Sequence, residues 1–277
     1  RLYGVVSMFN PETVSDISLQ TGGFAAQYGD RLSAVIDVKN REGRTDVPFG
    51  AKLNFSLTNM NLIFEGALPV DGSSYLLSLR RTYYDLILGP VLKKAKLVEG
   101  DVALPNFRDL QFRASLPMNE SNKVILNALT SRDGVSLISG AERDRADSVS
   151  LFDESYNTMV GALWQLNPAN DLIVNTQLSW YRNTGAGAFD GTFIDPSQNT
   201  GNVSRGDTLG LRFVRFAVDY DYIYTKTSVA QRLLWNSDVH TFEGGYGVDF
   251  LQTGFVRYFK IDQALKDFIA QRGFVVP

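Results

Sequence analysis

Apolar and polar residues alternate with a period of two through most of the sequence. Near position 112, for example, Leu110, Phe112 and Ala114 are interleaved with Gln111 and Arg113. A period of two places successive side chains on opposite faces of a β-strand. The alternation therefore predicts a sheet with one face suited to hydrocarbon and the other suited to water.

Nine strands are predicted by this alternation. Their ranges are 49–57, 61–68, 74–83, 107–117, 123–131, 156–166, 171–182, 220–235 and 240–258. Leu76, Gln231 and Gln252 fall on the face opposite to the one that the pattern assigns them. A bulge, a strand end or an error of register would each explain such an exception.

The connections between the predicted strands alternate strictly in length. Short polar turns are predicted at 69–72, 118–122, 167–170 and 236–238. The connections between them are long, at 84–106, 132–155 and 183–219. An outer-membrane barrel has short periplasmic turns and long extracellular loops, whereas a soluble sandwich has no reason to sort its loops by side.

Aromatic residues occur where these strands would meet the two membrane interfaces. Predicted at the side of the long loops are Tyr83, Tyr84, Tyr156, Trp180, Tyr181, Tyr258 and Phe259, and at the side of the short turns Trp164 and Trp235. Amphipathic rings favour headgroup depth, so such girdles are typical of barrels, although core aromatics of a soluble β protein are the alternative. No apolar run approaches the ~18 residues of a spanning helix.

Composition excludes several kinds of chemistry. The chain has no Cys and a single His, His240, so a thiolate metal site and a Ser-His or Cys-His nucleophile are not expected. The net charge is −3 and no block of Lys and Arg stands out as a nucleic-acid footprint. We therefore expect no enzyme, no cofactor, no metal site and no nucleic-acid partner.

The first 46 residues differ from the rest of the chain in their pattern of apolar, polar and glycine residues. Short strands are predicted at 14–19 and 32–38, with glycine-rich turns between them, and a polar linker at 41–46. The best domain boundary therefore lies between residues 46 and 47.

One part of this N-terminal segment carries a family resemblance. Residues 21–38, TGGFAAQYGDRLSAVIDV, resemble the closing segment of the plug domain in TonB-dependent outer-membrane receptors of the Bacteroidetes-like type. The residues that carry this plug signature are Gly22, Gly23, Tyr28, Gly29 and Arg31. The motifs EGALP at 65–69, SLRRTYYD at 78–85 and PNFRDL at 105–110 resemble early barrel strands of the same family.

The resemblance implies an all-β transmembrane antiparallel barrel with the end of an α+β plug domain. Residues 1–46 would be the C-terminal part of the plug and its linker, and residues 47–277 the N-terminal part of the barrel. Nine strands in about 230 residues correspond to ~25 residues per strand, so the 22 strands of a plugged transporter would need ~550. We therefore expect a partial barrel.

The resemblance also implies a function in the bacterial cell outer membrane. Such a receptor takes up a scarce nutrient, for instance a siderophore, cobalamin, a glycan or a peptide. Its partners would be outer-membrane lipid, the substrate, a surface lipoprotein and TonB, which would act on a segment upstream of Arg1. A barrel scaffold or surface-binding subunit without active transport is the alternative, and a plug argues against a passive porin.

Alternation predicts the residues that would face the lumen and bind the substrate. They are Lys52, Asn54, Arg80, Arg113, Asn175, Gln177, Tyr222, Tyr224 and Lys226. The cationic members would either grip an anionic ligand or pair with carboxylates of the plug or barrel. Arg81 falls on the opposite, apolar face, where its side chain would reach towards headgroups.

Two long connections leave further alternatives. Segment 86–97 is amphipathic and would act as a lid or pack across the rim. Asp190, Asp195 and Asp207 would bind Ca²⁺ or belong to a solvated loop, and their spacing matches no known calcium loop.

Overall fold

The chain is described by a computed structural model over residues 10–24, 28–29, 33–56, 58–83, 102–138, 148–195 and 212–272. It is almost entirely antiparallel β structure, with a two-stranded ribbon and a nine-stranded sheet. No helix within these ranges is long and apolar enough to cross a membrane.

The ribbon is formed by β1 (Val14–Gln20) and β2 (Val35–Asn40), which are antiparallel. A 3-10 turn, Pro11–Thr13, leads into β1, and the Asn10 side chain caps it by accepting a hydrogen bond from the Glu12 N–H at 3.1 Å. The predicted strand at 14–19 is confirmed. The second strand begins at residue 35, and residue 32 lies outside the described residues.

The large sheet contains the nine predicted strands in sequence order. They are β3 (Gly50–Phe55), β4 (Asn59–Ala67), β5 (Ser74–Thr82), β6 (Val102–Asn119), β7 (Asn122–Ile138), β8 (Ser148–Ala169), β9 (Leu172–Ile194), β10 (Phe213–Asn236) and β11 (Thr241–Ile261). Each strand pairs antiparallel with the next, and helix α1 (Gln263–Gln271) follows β11. The prediction of nine consecutive antiparallel strands is therefore confirmed.

The strands from β6 to β11 are longer than predicted, at 17 to 24 residues. Much of the connections predicted at 132–155 and 183–219 is strand, so the predicted loop extents are wrong. In the C-terminal part of β9, residues 183–194, the apolar alternation is interrupted by Gly185, Gly187 and Asp190. The backbone ladder to β10 nevertheless continues through these residues. The reason is that alternation marks only the part of a strand with one apolar face, whereas backbone hydrogen bonds need no apolar side chains.

The pairing register divides the sheet into two faces. On the side that we call the polar face, one row across all nine strands consists of Lys52, Ile63, Ser78, Gln111, Leu129, Met159, Tyr181, Lys226 and Leu251. On the side that we call the apolar face, the adjacent row consists of Ala51, Phe64, Leu77, Phe112, Ala128, Val160, Trp180, Thr227 and Phe250.

The three exceptions to the alternation are genuine rather than errors of register. In the large sheet, register shifts occur only at 117–119 and 166–169 among the described residues. Neither shift lies near the exceptions. Gln252 and Gln231 lie on the apolar face, where Gln231 Nε2 donates to Thr176 Oγ1 at 3.2 Å.

Leu76, the third exception, lies on the polar face and is 2 % exposed. It is buried because the linker crosses the sheet there and borders the same cavity. Gly43 of the linker lies so close to β5 that a Cβ at this position would clash with the Tyr75 carbonyl group. An apolar residue is therefore accommodated on the polar face by the chain that covers it.

The aromatic residues of the predicted girdles lie on both faces of the sheet, and their position at a membrane interface stays a prediction. Trp164 and Trp235 lie on the apolar face near the short turns, and Tyr156, Trp180 and Tyr258 lie on the same face. Tyr181 and Phe259 point instead to the polar face, because each immediately follows an apolar-face residue. Tyr84 lies outside the described residues.

Candidate functional site

All nine predicted lumen residues lie on the polar face of the sheet. The register assigns to that face Lys52, Asn54, Arg80, Arg113, Asn175, Gln177, Tyr222, Tyr224 and Lys226. Alternation was sufficient to place them because adjacent strands keep their register through this region. Their role in binding a ligand stays a prediction.

The N-terminal segment, by which we mean the described residues between 10 and 46, packs on this polar face. The Asn10 Nδ2 donates to Asn61 Oδ1 and to Ser78 Oγ, both at 2.7 Å. The Thr13 hydroxyl donates to Gln111 Oε1 at 3.0 Å. Asn10 and Thr13 are each 1 % exposed, so these hydrogen bonds are shielded from water. The start of the segment is therefore anchored to β4, β5 and β6.

Ion pairs add a second set of contacts between the segment and the sheet. Lys52 pairs with Glu12, and the Arg41 guanidinium binds Glu65, with Nη2 to Oε1 at 3.2 Å. Arg41 Nε also donates to the Glu12 carbonyl at 2.9 Å. Arg41 thus connects the 3-10 turn, the linker and β4.

Glu42 is the acidic centre of the linker contact. Its carboxylate accepts hydrogen bonds from Lys123 Nζ at 2.5 Å and from Ser115 Oγ at 3.1 Å, and Arg113 Nη2 lies 4.0 Å away. Burial alone raises the pKa of Glu42, but these hydrogen bonds and positive charges together outweigh it, and the pKa lies below its usual value. The ionised form is therefore favoured where the linker meets β6 and β7.

A cavity of about 770 Å³ lies between the segment and the sheet. Residues 38–42 border it on one side, and strands β5 to β9 border it on the other. Two of the predicted lumen residues, Arg113 and Gln177, line it. The structure thus combines a polar concave surface with a segment that occupies part of it.

The cationic lumen candidates have partners within the protein. Arg80 Nη2 and Nε contact Asp109 Oδ2 at 2.8 and 3.1 Å, and their side chains are 6 % and 0 % exposed. The Arg80 guanidinium also lies over the Phe107 ring, 4.9 Å from its centroid. Lys226 Nζ lies 2.8 Å from Asp249. The interpretation that such residues pair with carboxylates is confirmed for Lys52, Arg80 and Lys226.

Arg113, Asn54 and Asn175 differ from these paired residues, because each has a buried polar atom without a hydrogen-bond partner among the described residues. Arg113 Nη1 donates to Asn127 Oδ1 at 3.1 Å, but its Nε has no hydrogen-bond partner among the described residues. The buried atoms Asn54 Nδ2 and Asn175 Oδ1 also lack a partner in the described structure. Buried polar atoms are almost always satisfied, so each of these three atoms is a candidate contact for a bound ligand or water.

A cluster of tyrosines on the polar face extends the candidate site beyond the predicted residues. Tyr222 lies over Gly185, and Tyr220 lies over Gly187 and donates to Asp153. The sequence reasoning missed Tyr220 as a site residue and placed Asp153 in a predicted loop. The recurring Gly-x-Gly opposite Tyr-x-Tyr was the signal that could have identified them, since small residues beneath rings indicate close cross-strand packing.

A further tyrosine, Tyr181, joins this cluster from β9. Its hydroxyl donates to Asn157 Oδ1 at 2.7 Å, and its ring centroid lies 6.0 Å from that of Tyr224. Asn183 Nδ2 donates to the same Asn157 oxygen at 2.7 Å. The cluster therefore provides rings and amides on the polar face, a combination suited to binding neutral polar ligands.

Four residues of the plug signature fall in described positions between β1 and β2. They are Gly22, Gly23, Tyr28 and Gly29, whereas Arg31 lies outside the described residues. Gly23 has a φ of 61°, in the left-handed region, which is consistent with the predicted turn. Within the described residues, a Cβ at Gly22, Gly23 or Gly29 would meet nothing within 4 Å.

The aspartates predicted for the loop at 183–219 do not form a cation site in the described residues. Asp190 belongs to β9, and its carboxylate binds Arg215 Nε through both oxygens at 3.0 and 3.2 Å. Asp195 is buried at the end of β9, and Asp207 lies outside the described residues. No group of three or more His, Asp or Glu residues that could hold a metal occurs in the part of the chain that is described. Segment 86–97 lies outside it.

Comparison with known proteins adds no family. No family model and no curated protein matches the sequence. The architecture is an antiparallel meander sheet with one polar and one apolar face. The N-terminal segment packs on the polar face.

Proposed function

We propose that the protein is a TonB-dependent outer-membrane receptor whose sheet is part of a transmembrane barrel and whose residues 1–46 are the end of its plug. The observation that carries this proposal is the sidedness of the sheet. The N-terminal segment packs on the polar face through Asn10, Thr13 and Arg41. The opposite face carries a band of exposed apolar side chains that includes Phe112, Leu178 and Phe250. A plugged barrel requires this arrangement, because its interior is polar and its exterior contacts lipid.

The length of the apolar stretch on each strand supports the placement of the sheet in a bilayer. On β9 this face carries Leu172, Val174, Thr176, Leu178 and Trp180. The stretch from the first to the last of them extends about 26 Å along the strand at ~3.3 Å per residue. Because barrel strands are tilted by about 35–45°, this stretch would span roughly 20 Å of the ~25 Å apolar band of outer-membrane barrels. The strands continue for many residues beyond this band, so they would project from the membrane on the side of the long connections.

Placement of the sheet in a barrel also accounts for its two end strands. β3 and β11 each pair with one neighbour in the described sheet, and β11 exposes large apolar side chains on both faces, such as Phe250 and Leu251. An unpaired strand edge is strongly disfavoured in hydrocarbon. In the proposed receptor, further strands pair with these edges and close the barrel.

The contacts between the N-terminal segment and the sheet are weak enough for a pulling force to separate the two. Neutral hydrogen bonds such as those of Asn10 contribute about 0.5–1.5 kcal/mol each, and exposed ion pairs such as Lys52–Glu12 contribute ~0–1 kcal/mol. The β-ladders of the sheet are far more extensive than these contacts. A pull on the segment would therefore separate it from the polar face before the sheet unfolds.

The substrate would occupy the space that the segment leaves, in contact with the polar face. Asn54, Asn175, Arg113 and the tyrosine cluster offer hydrogen-bond groups and rings there. Uptake of a scarce nutrient, such as a siderophore, cobalamin, a glycan or a peptide, is the function that fits a plugged barrel of this kind. TonB and a surface lipoprotein are its proposed partners.

Cysteine labelling in cells tests this proposal directly, because the chain has no native Cys. Ser78 is 0 % exposed beneath Asn10, so the thiol of the Ser78→Cys variant is shielded while the segment is docked. We expect its labelling by a hydrophilic maleimide to rise in cells with functional TonB and a mixed nutrient supply, and to remain low in cells without TonB. Ser228→Cys, on the polar face at β10, is the control, and its labelling should not depend on TonB.

Two outcomes would separate the alternatives. Labelling of Ser78→Cys that is unaffected by TonB, in a protein that shows heat-modifiable gel migration, would favour a barrel scaffold or surface-binding subunit without active transport. Absence of heat-modifiable migration and of the protein from outer-membrane fractions would overturn the barrel itself.

A further inference from the structure

Three arginines form a row on the apolar face. Arg81 on β5 is the register partner of Arg108 on β6, and Arg108 is the partner of Arg132 on β7. Adjacent strands are ~4.8 Å apart, so the three Cα atoms lie within about 10 Å. Like charges directly opposite each other are destabilising in a sheet. A ligand with negative charge would therefore stabilise the row.

The row retains donors that such a ligand could reach. Glu154 pairs with Arg132, whose guanidinium also lies 5.5 Å from the centroid of the Tyr156 ring. Arg81 and Arg108 are exposed, and Arg81 also interacts within the protein. A guanidinium has five N–H donors, which is more than one protein contact uses, so exposed arginines in a row can bind a further anion.

An apolar cavity adjoins this row. It has a volume of about 500 Å³, and its lining includes all three arginines together with Leu62, Leu79 and Leu110. These leucines form the next row of the apolar face, on the side of the short turns. The cavity thus has a cationic end and a hydrocarbon end. The cationic end lies at the boundary of the apolar band, on the side where the strands lead to the long connections.

We propose that this cavity binds a membrane amphiphile that carries a phosphate headgroup. The phosphate accepts hydrogen bonds from Arg81, Arg108 and Arg132, since guanidinium groups bind phosphate oxygens in bidentate fashion. An acyl chain of the same molecule packs on Leu62, Leu79 and Leu110. The inference rests on the proposed function only in placing the apolar face in a bilayer, and it assigns this face a specific lipid site.

The test uses the complete protein purified in dodecyl maltoside, with binding measured by native mass spectrometry. Dodecyl phosphate has the phosphate and the chain, dodecyl maltoside has the same chain with a neutral headgroup, and inorganic phosphate has no chain. We expect dodecyl phosphate to bind in the presence of excess dodecyl maltoside. Inorganic phosphate at the same concentration should neither bind detectably nor displace it.

Variants locate the site. R81Q/R108Q should weaken binding of dodecyl phosphate at least tenfold, whereas R81K/R108K should weaken it less, because the charge remains. R215Q removes an arginine from the same face but distant from the cavity, where it pairs with Asp190, and it should leave binding unchanged. Heat-modifiable migration of each variant monitors folding separately from binding.

Three results would overturn the proposal. They are equal binding by R81Q/R108Q and the unaltered protein, equal weakening by R215Q, and binding of inorganic phosphate as tight as that of dodecyl phosphate. If R81Q/R108Q does not fold, two other results test the proposal. They are the binding of dodecyl phosphate by R81K/R108K relative to R215Q, and the competition with inorganic phosphate. None of these results bears on TonB-dependent labelling, so failure of the lipid site and failure of the proposed function are distinguishable.

Discussion

Tyr222 lies directly over Gly185, its register partner on the neighbouring strand. A Cβ at position 185 would come within 2.5 Å of the Tyr222 ring, which is closer than side-chain carbons approach each other. The adjacent pair, Gly187 and Tyr220, repeats the arrangement. The two glycines thus leave room for two rings of β10 to pack over β9.

Substitution of Gly185 by Ala should destabilise the protein by about 1–3 kcal/mol, because the new methyl group displaces a packed ring. The free energy of unfolding can be measured by urea titration of the folded protein in detergent. Gly247→Ala is the matched control, since the nearest atom to its Cβ would be Ala230 Cβ at 3.7 Å. Equal effects at positions 185 and 247 would contradict the packing account.

The buried pair Arg80–Asp109 should be far more sensitive to substitution than an exposed pair. Asp109→Ala removes a buried carboxylate that two nitrogens of the Arg80 guanidinium contact, which should destabilise the protein by about 3–5 kcal/mol. Asp46→Ala removes the partner of Arg44 in a pair that is more than half exposed, and should have a small effect. Urea titration compares the two. Similar losses would show that Arg80 does not depend on Asp109.

Asn10→Ala should loosen the N-terminal segment without unfolding the sheet. It removes hydrogen bonds to two buried groups, Asn61 and Ser78, and should weaken docking by about 1–3 kcal/mol. Amide hydrogen exchange in β1 and β2 should then become roughly 5- to 150-fold faster, while exchange in β8 and β9 stays unchanged. Asp16→Ala, which removes an exposed pair with Lys39, is the control and should have little effect.

Docking of the linker should weaken at acid pH because of Glu42. Its pKa is lowered in the folded protein, so ionised Glu42 stabilises docking above the unfolded value of 4.5, and this stabilisation is lost as the pH falls through the lower folded pKa. A fluorophore on Ile36→Cys, an exposed position of β2, reports docking by its anisotropy. We expect the anisotropy to fall below pH 4.5.

The Glu42→Gln variant, labelled at the same position, provides the reference for that titration. An amide does not ionise in this range, so the anisotropy of this variant should be lower at neutral pH and should change less between about pH 6 and pH 3. If both proteins instead show the same pH dependence, Glu42 does not control docking.

Much of the fold could be predicted from the sequence because the two faces of each strand differ in polarity. The nine strands, their antiparallel order and the polar-face position of residues such as Lys52 and Gln177 all follow from a period of two. Even Leu76, which contradicts the polarity pattern, lies on the face where the period places it. Strand ends were predicted poorly. Residues 183–194 of β9 and their partners 213–224 of β10 belong to the sheet but lack a continuous apolar face.

The sequence alone determined which side chains share a face, because pleating relates each residue to its neighbours two positions away. Only the tertiary structure decided which of them meet. Asn10 and Ser78 are 68 positions apart in the chain, and no local pattern relates them. The same holds for the arginine row, which depends on the register of three strands. Contacts between distant segments arise from the folded register and packing. A period of two restricts the register only to pairings that keep the two faces apart, and it contains no information about packing.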